Sequence, residues 1–396
     1  MEYFREYLSS EITDKLPLLI SIGAIVFYTF FKYHKSRFRT PNIKNADKTS
    51  DSYVKPIIEP MSPDFKWDEV TPSKSYPFKN GEYKLTMGIR KLDPQDWLLI
   101  EPTYLNRIDN KSKIVSNTHP DYPPDKDLAN NTLFSTEEAE PAIREFYDIV
   151  VNYMCEKYPM YFKDAKNGKI FNSITGNYLP ACADEVVNAR ELLIVLANNI
   201  EEDFLILLKD PSREDEKDGS EYFFKAGLFG FAAGFNPKDR FNMPLSFVHH
   251  PVPGYESKLK LSMNRFFNRL EPGQFVTRSN FSVQTHSKLY VDDQNKGHHL
   301  REGENQVAID PATLDFDKQV HYRSERQALT KLPKSNAVVF TIRTYLLPMS
   351  VIKKEDKEVR ERLIGAIKGL PEDISLYKRA AEWGPAVVEY LSDQSQ

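Results

Sequence analysis

Residues 320–348, VHYRSERQALTKLPKSNAVVFTIRTYLLP, read as two strands whose side chains are too polar and too regularly placed for an ordinary sheet. Successive side chains on a strand point to opposite faces, so His321, Arg323, Glu325 and Gln327 share one face. On the second strand Phe340 and Ile342 alternate with Thr341, Arg343 and Tyr345. Arginines and a glutamate on central strands are costly unless each is paired or binds a charged ligand. The segment therefore implies either an internal ion-pair network or a binding site.

Working outward, residues 203–208, 222–231 and 275–284 add three more strand patterns to those at 319–329 and 337–347, which suits a five-stranded antiparallel sheet. Between them lie helical patterns. Ser135 and Glu138 have the spacing of a capping box before Ile143, Phe146, Tyr147, Val150, Val151 and Met154. Residues 184–200 predict a second helix, and Leu259, Met263, Phe266, Phe267 and Leu270 mark a third. Polar helices are expected at 350–368 and 372–392, outside the sheet. The loops 210–221 and 285–318 read as surface, and the whole as an α+β class with helices flanking the sheet. The run YFFKAGLFGFAAGF at 222–235 reads as a core strand, with glycines that would let a flat ring approach closely.

Composition narrows the function. A net charge of -4 of mixed sign gives no field for nucleic acid, and no zinc-finger or RNA-binding signature is present. Cys155 and Cys182 are the two cysteines, too few for a disulfide scaffold or a cysteine-ligated iron–sulfur cluster in one chain. No G-x-G-x-x-G or G-K-[ST] element follows a strand, so no nucleotide, nicotinamide or flavin site of the usual kind is visible.

The N-terminus is of another kind. Residues 16–31 are uncharged and bracketed by Lys15 and Lys32, a helix of roughly 24 Å at 1.5 Å per residue. Tyr28 and Tyr33 mark its interfacial end, followed by Lys32, Lys35, Arg37, Arg39 and Lys44. We therefore expect a lumenal or external segment over 1–15, a single transmembrane anchor over 16–33, a flexible Pro-rich tether over 34–75 and a large cytosolic domain over 76–396. The endoplasmic reticulum is the expected membrane, ahead of the mitochondrial outer membrane.

From the residues alone, three groups stand out. His249 and His250 sit between an apolar strand end and the pair Pro251 and Pro253, which restrict the backbone and could hold a neutral imidazole against a cofactor; a capped loop histidine is the plainer reading. Arg323, Glu325, Arg326, Arg343 and Tyr345 form the polar strands, as a site or as an ion-pair network. Arg278 and Asn280, two apart on a strand, share a face, whether toward a site or toward solvent.

Taken together, HYRSERQALTKLPKSNAVVFTIRTY, the block MGIRKLDPQDWLLIEPTY at 87–104 and PLSFVHHPVPGY at 244–255, followed by Arg278 and Asn280 in RSNFSV, resemble the haem-dependent oxidative N-demethylase, alpha-subunit-like family over roughly residues 76–352. The resemblance implies a PAS-like haem domain with iron held by His249, His250 being the rival ligand. It further implies haem contacts from Arg326, Arg343, Arg278 and Asn280, and catalytic roles for Glu325, Arg323 and Tyr345. An arginine matches a haem propionate bidentately, and Glu325 could fix an arginine or accept the ammonium of an amine. The activity implied is oxidation of a small amine-like substrate by a haem monooxygenase or oxidase; the expected membrane anchor departs from the soluble bacterial family pattern, and without a visible flavin, nicotinamide or iron–sulfur site the electrons are expected from a separate reductase or electron-transfer protein. A non-catalytic haem or small-ligand sensor on a PAS-like fold and a haemless membrane-tethered interaction protein are the alternatives.

Overall fold

The computed structural model describes residues 53–297, 300 and 304–393. The expected anchor at 16–33 lies outside the described residues. Among the described residues no helix is long and apolar enough to cross a membrane.

Among the described residues ten strands form two antiparallel sheets. In chain order they are β1 (Arg90–Lys91), β2 (Leu133–Ser135), β3 (Phe162–Asp164), β4 (Lys169–Asn172), β5 (Asn177–Pro180), β6 (Asp203–Lys209), β7 (Tyr222–Leu228), β8 (Phe275–Gln284), β9 (His321–Lys331) and β10 (Val338–Pro348). The large sheet has seven strands in the order β1-β8-β9-β10-β6-β7-β2, and β3-β4-β5 make a small separate sheet. The five expected strands are all present and contiguous within the seven. What differs is the edges: β1 and β2 are two and three residues long, too short to leave a period-two pattern.

Period-two alternation divides the large sheet into two working faces, with a register shift of β7 against Ile206 and Leu207 that puts Ala226 and Phe224 on opposite ones. On one, Phe204, Ile206, Ala226, Ala328 and Val339 join the main core under the helices Tyr104–Val115, Glu140–Lys157 and Ala189–Ala197. On the other, Leu205, Leu207, Phe224, Leu329 and Ile342 meet Leu245, Tyr255, Leu259 and Met263. Those four come from the short helix Leu245–His249, a π-helical turn Tyr255–Leu259 and the helix Lys260–Arg269. Burial of that many large side chains, at about 1.5–3 kcal/mol each, is what holds the helical cover on the sheet.

Several expectations change. Ser135 pairs with Ala226 in the sheet instead of capping a helix, and Thr136 precedes a 3-10 turn, Glu137–Ala139, that feeds the helix Glu140–Lys157. Residues 53–75 are packed, not a loose tether: Met61 N–H donates to Lys157 O (2.8 Å), Ser73 N–H to Glu101 Oε1 (2.7 Å), and Phe65 and Trp67 lie against the main core. The C-terminal part forms four helices, Met349–Lys353, Lys357–Lys368, Glu372–Tyr377 and Ala380–Ser392. They pack against the sheet from outside, where Met349, Leu363, Trp383 and Val387 build a core with Phe281 and Tyr322 of β8 and β9.

Of the three glycines of the aromatic run, Gly227 makes room for backbone rather than for a ring. Gly227, at φ 141°, pairs with Leu205 across β6, and a Cβ there would stand 2.1 Å from Phe204 O. The neighbouring Tyr222, Phe223 and Phe224 are buried core residues, as the sequence indicates.

Candidate active site

Between the second face of the large sheet and its helical cover lies a cavity of about 270 Å³. Most of the lining is apolar. The sheet supplies Leu205, Leu207, Phe224, Leu329, Phe340 and Ile342, the cover supplies Val252, Met263, Phe266 and Phe267, and the segment leading to β1 supplies Leu85, Met87 and Ile89. An apolar cleft with a few converging polar groups is the usual form of a small-molecule or cofactor site.

His249 stands in this wall, at the end of the helix Leu245–His249. Its Nδ1 donates to Leu245 O at 2.8 Å, which fixes the proton on Nδ1 and leaves the lone pair on Nε2. The ring stacks on Tyr255 with centroids 5.0 Å apart and planes 13° from parallel. Burial, with Arg278 and Arg240 adding repulsion, pushes the imidazole down to about 4, so it is neutral at pH 7. A neutral imidazole, oriented through one nitrogen by a backbone carbonyl, is the form that binds a metal through the other.

The local sequence explains this placement. A five-residue helix cannot hold itself, and Glu221 does the holding: its carboxylate accepts from Ser246 N (2.7 Å), Ser246 Oγ (2.6 Å) and Asn264 Nδ2 (2.6 Å), joining this helix to Lys260–Arg269. After His249 the chain turns through the two prolines to Gly254, whose φ of 75° admits glycine readily, and enters the π-helical turn that carries Tyr255. His250 is exposed and does not line the cavity. Glu221 belongs to a segment that reads as surface loop in the sequence, yet it is 4 % exposed. No pattern around it announces that role.

The polar strands divide by parity. Arg278, Asn280 and Ser282 of β8 and Glu325 and Gln327 of β9 line the cavity, with Arg278 opposite Gln327 and Asn280 opposite Glu325. Glu325 accepts from Gln327 Nε2 at 2.9 Å and lies 3.7 Å from Arg323 Nε. Four expected site residues are elsewhere. Arg323 is sealed inside the fold, donating to Leu289 O (2.9 Å) and Phe231 O. Arg326 faces the other side and donates to Trp97 O (3.3 Å) and Asp96 O.

Arg343 lies on that same side at the centre of three glutamates, 2.7 Å from Glu101, 2.8 Å from Glu201 and 3.0 Å from Glu202. Burial opposes its charge, but Glu201 and Glu202 outweigh this and hold it well above the ordinary arginine value. Tyr345 Oη donates to Glu101 Oε1 at 3.4 Å, completing the cluster. Arg323, Arg326, Arg343 and Tyr345 thus spend their polar groups on the protein, not on the cavity. Three cations that sequence reasoning passed over do face it: Arg240, Lys296 and Lys378.

Compared with known families, residues 88–388 match haem-dependent oxidative N-demethylase, alpha subunit-like. The chain belongs to this family. Haem is therefore its cofactor and oxidation its class of chemistry. The donor set in the cavity fits the demethylase-family cofactor: a neutral, oriented imidazole in a wall of aliphatic and aromatic side chains, with cations at the polar end.

Two measurements check the electrostatics of this demethylase-family fold. Arg343→Met leaves three buried carboxylates without their common partner and should cost about 3–5 kcal/mol, read as a lower urea midpoint; a loss below about 1 kcal/mol would show the cluster to be relaxed by water. His249 binds its proton less well folded than its ordinary value of 6.5. Between pH 6.5 and about 4 the unfolded chain therefore takes up a proton that the folded one does not, and stability falls as the pH falls through that window. His249→Gln should flatten that part of the stability curve of the haem-free protein; an unchanged slope counts against a neutral, buried imidazole.

Proposed function

We propose that this protein is a membrane-anchored haem-dependent monooxygenase or oxidase that acts on a small amine, with His249 as the residue that would hold the haem iron and electrons supplied by a separate reductase or electron-transfer protein. The observation that carries the reading is the His249 imidazole, tied through Nδ1 to Leu245 O and set in the wall of the apolar cavity. Bound haem would supply the redox-active iron for oxidation by dioxygen. The protein's own residues do the rest. Leu245 O and the Tyr255 ring keep Nε2 aimed, the aliphatic and aromatic walls exclude water, and Glu325 accepts the substrate ammonium on the sheet side. Arg278 and Asn280 lie beside Glu325 on that side and complete the polar wall.

A PAS-like architecture goes with this reading, supported by the five contiguous antiparallel strands β8-β9-β10-β6-β7 and the helices that flank them. Dependence on a partner is supported by the two cysteines and by the lack of a dinucleotide fingerprint in the sequence.

Spectra of the purified protein reconstituted with haem test the site. His249→Ala should abolish or strongly shift the Soret band, whereas Glu325→Gln, nearly isosteric and neutral, should keep haem and lower amine turnover or affinity in the presence of a reductase. A native spectrum in His249→Ala with loss in His250→Ala would move the ligand to the neighbour. Haem bound without turnover would favour a sensor, and a colourless wild-type protein an interaction module. The membrane topology rests on the uncharged stretch 16–31 and the basic residues that follow it, with the endoplasmic reticulum as the membrane. Protease added to intact microsomes should digest the large domain; full protection would reverse the orientation.

A further inference from the structure

The polar end of the cavity has an imbalance of charge that the amine reading does not use. Arg240, Arg278, Lys296 and Lys378 line the cavity, while Glu325 is the only carboxylate among the described lining residues. A bare ammonium is a poor match for such surroundings, and an anion is a good one.

Lys378 is built into this end with some care. It follows the helix Glu372–Tyr377, and its carbonyl accepts from Trp383 Nε1 at 3.1 Å, which fixes the backbone between two helices. The side chain, 5 % exposed, crosses to the sheet and donates to Phe281 O (2.6 Å) and, more weakly, Asn280 Oδ1 (3.4 Å). An ammonium has three protons to give. Arg278 lies on the adjoining strand face, its Nε buried and without a hydrogen-bond partner. Lys296, 9 % exposed, sits over the Tyr377 ring at 4.7 Å.

We infer that Arg278 and Lys378, flanked by Lys296, form a carboxylate-binding subsite at the polar end of the cavity. Burial and the repulsion of Lys296 push Lys378 down to about 7, a discomfort that a bound anion relieves. The carboxylate has two sources: a propionate of haem itself, or a carboxyl group on the substrate, which would make that substrate an N-alkylated amino acid, its ammonium at Glu325 and its carboxylate at Lys378. The second source rests on the amine-oxidation reading; the subsite does not.

Three comparisons on the full chain test this, using wild type, Lys378→Met and Arg278→Gln. First, octanoate should raise the melting temperature of the haem-free protein more than octan-1-ol does, and both variants should lose the difference. Equal effects of the two probes on the wild type, or a difference that survives in both variants, overturns the subsite. Second, if haem fills it, protoporphyrin IX iron should bind about tenfold or more tighter than its dimethyl ester, judged by the Soret band, with the gap closed in Lys378→Met. Third, if substrate fills it, the two porphyrins bind alike and N-methylglycine perturbs the haem spectrum at about tenfold lower concentration than dimethylamine, again only with Lys378 present. Where haem binds, the absence of a difference in both the second and the third comparison also overturns the proposal. A positive first comparison with no haem bound by any form would leave the carboxylate subsite standing and remove the haem reading.

Discussion

Arg343 and its three glutamates are the interaction around which the domain is organised. Glu101 comes from the segment before the helix Tyr104–Val115, Glu201 and Glu202 from the turn into β6, and Arg343 from the middle of β10. One guanidinium therefore joins three stretches distant in sequence, beneath a sheet that water does not reach. The surroundings continue the pattern of compensation. Lys111 donates to Ile200 O (2.5 Å) and Glu202 O (2.9 Å), and Asp203 accepts from Phe231 N at 2.7 Å. Burying so many charges is justified energetically only when each has partners with good geometry, which is why the turn at 199–203 has so little freedom.

That constraint fixes the register of the sheet and, through it, the two faces. With Arg343 and Tyr345 committed to the glutamates, Phe340 and Ile342 must face the other way, and pairing with β9 then sets Glu325 and Gln327 beside them. A slip of one residue would exchange the buried ion cluster with the cavity lining. The chemistry on one side of the sheet thus depends on the electrostatics of the other.

How much of this was legible follows from the same geometry. The five long strands and the helices over Glu140–Lys157 and Lys260–Arg269 carry enough repeats to declare their period. Parity along 320–348 correctly separates Glu325 from Arg326 and Ile342 from Arg343, but parity cannot say which face looks at a cavity; that depends on which helices cover each face. Hence Arg343, chemically suited to a propionate, is occupied by Glu101, Glu201 and Glu202. Glu221 and Lys378 sit in polar segments that look like surface, and their burial follows from tertiary contacts with Ser246 and Phe281 that no local window contains. Residues 53–75 deceive similarly, because prolines that suggest an extended chain are equally compatible with a strap laid on a core.

The attachment of the His249 helix to Glu221 bears on the order of events when a cofactor arrives. The imidazole's tautomer, tilt and stacking are all set by neighbours that belong to the folded chain: Leu245 O, Tyr255, and through Ser246 the buried Glu221. Its ordering entropy is thus incurred during folding rather than at the moment of association. A ligand entering the cavity meets a rigid receptor, so the rate at which the protein charges itself is governed by passage through the mouth and not by rearrangement of the nitrogen that receives it.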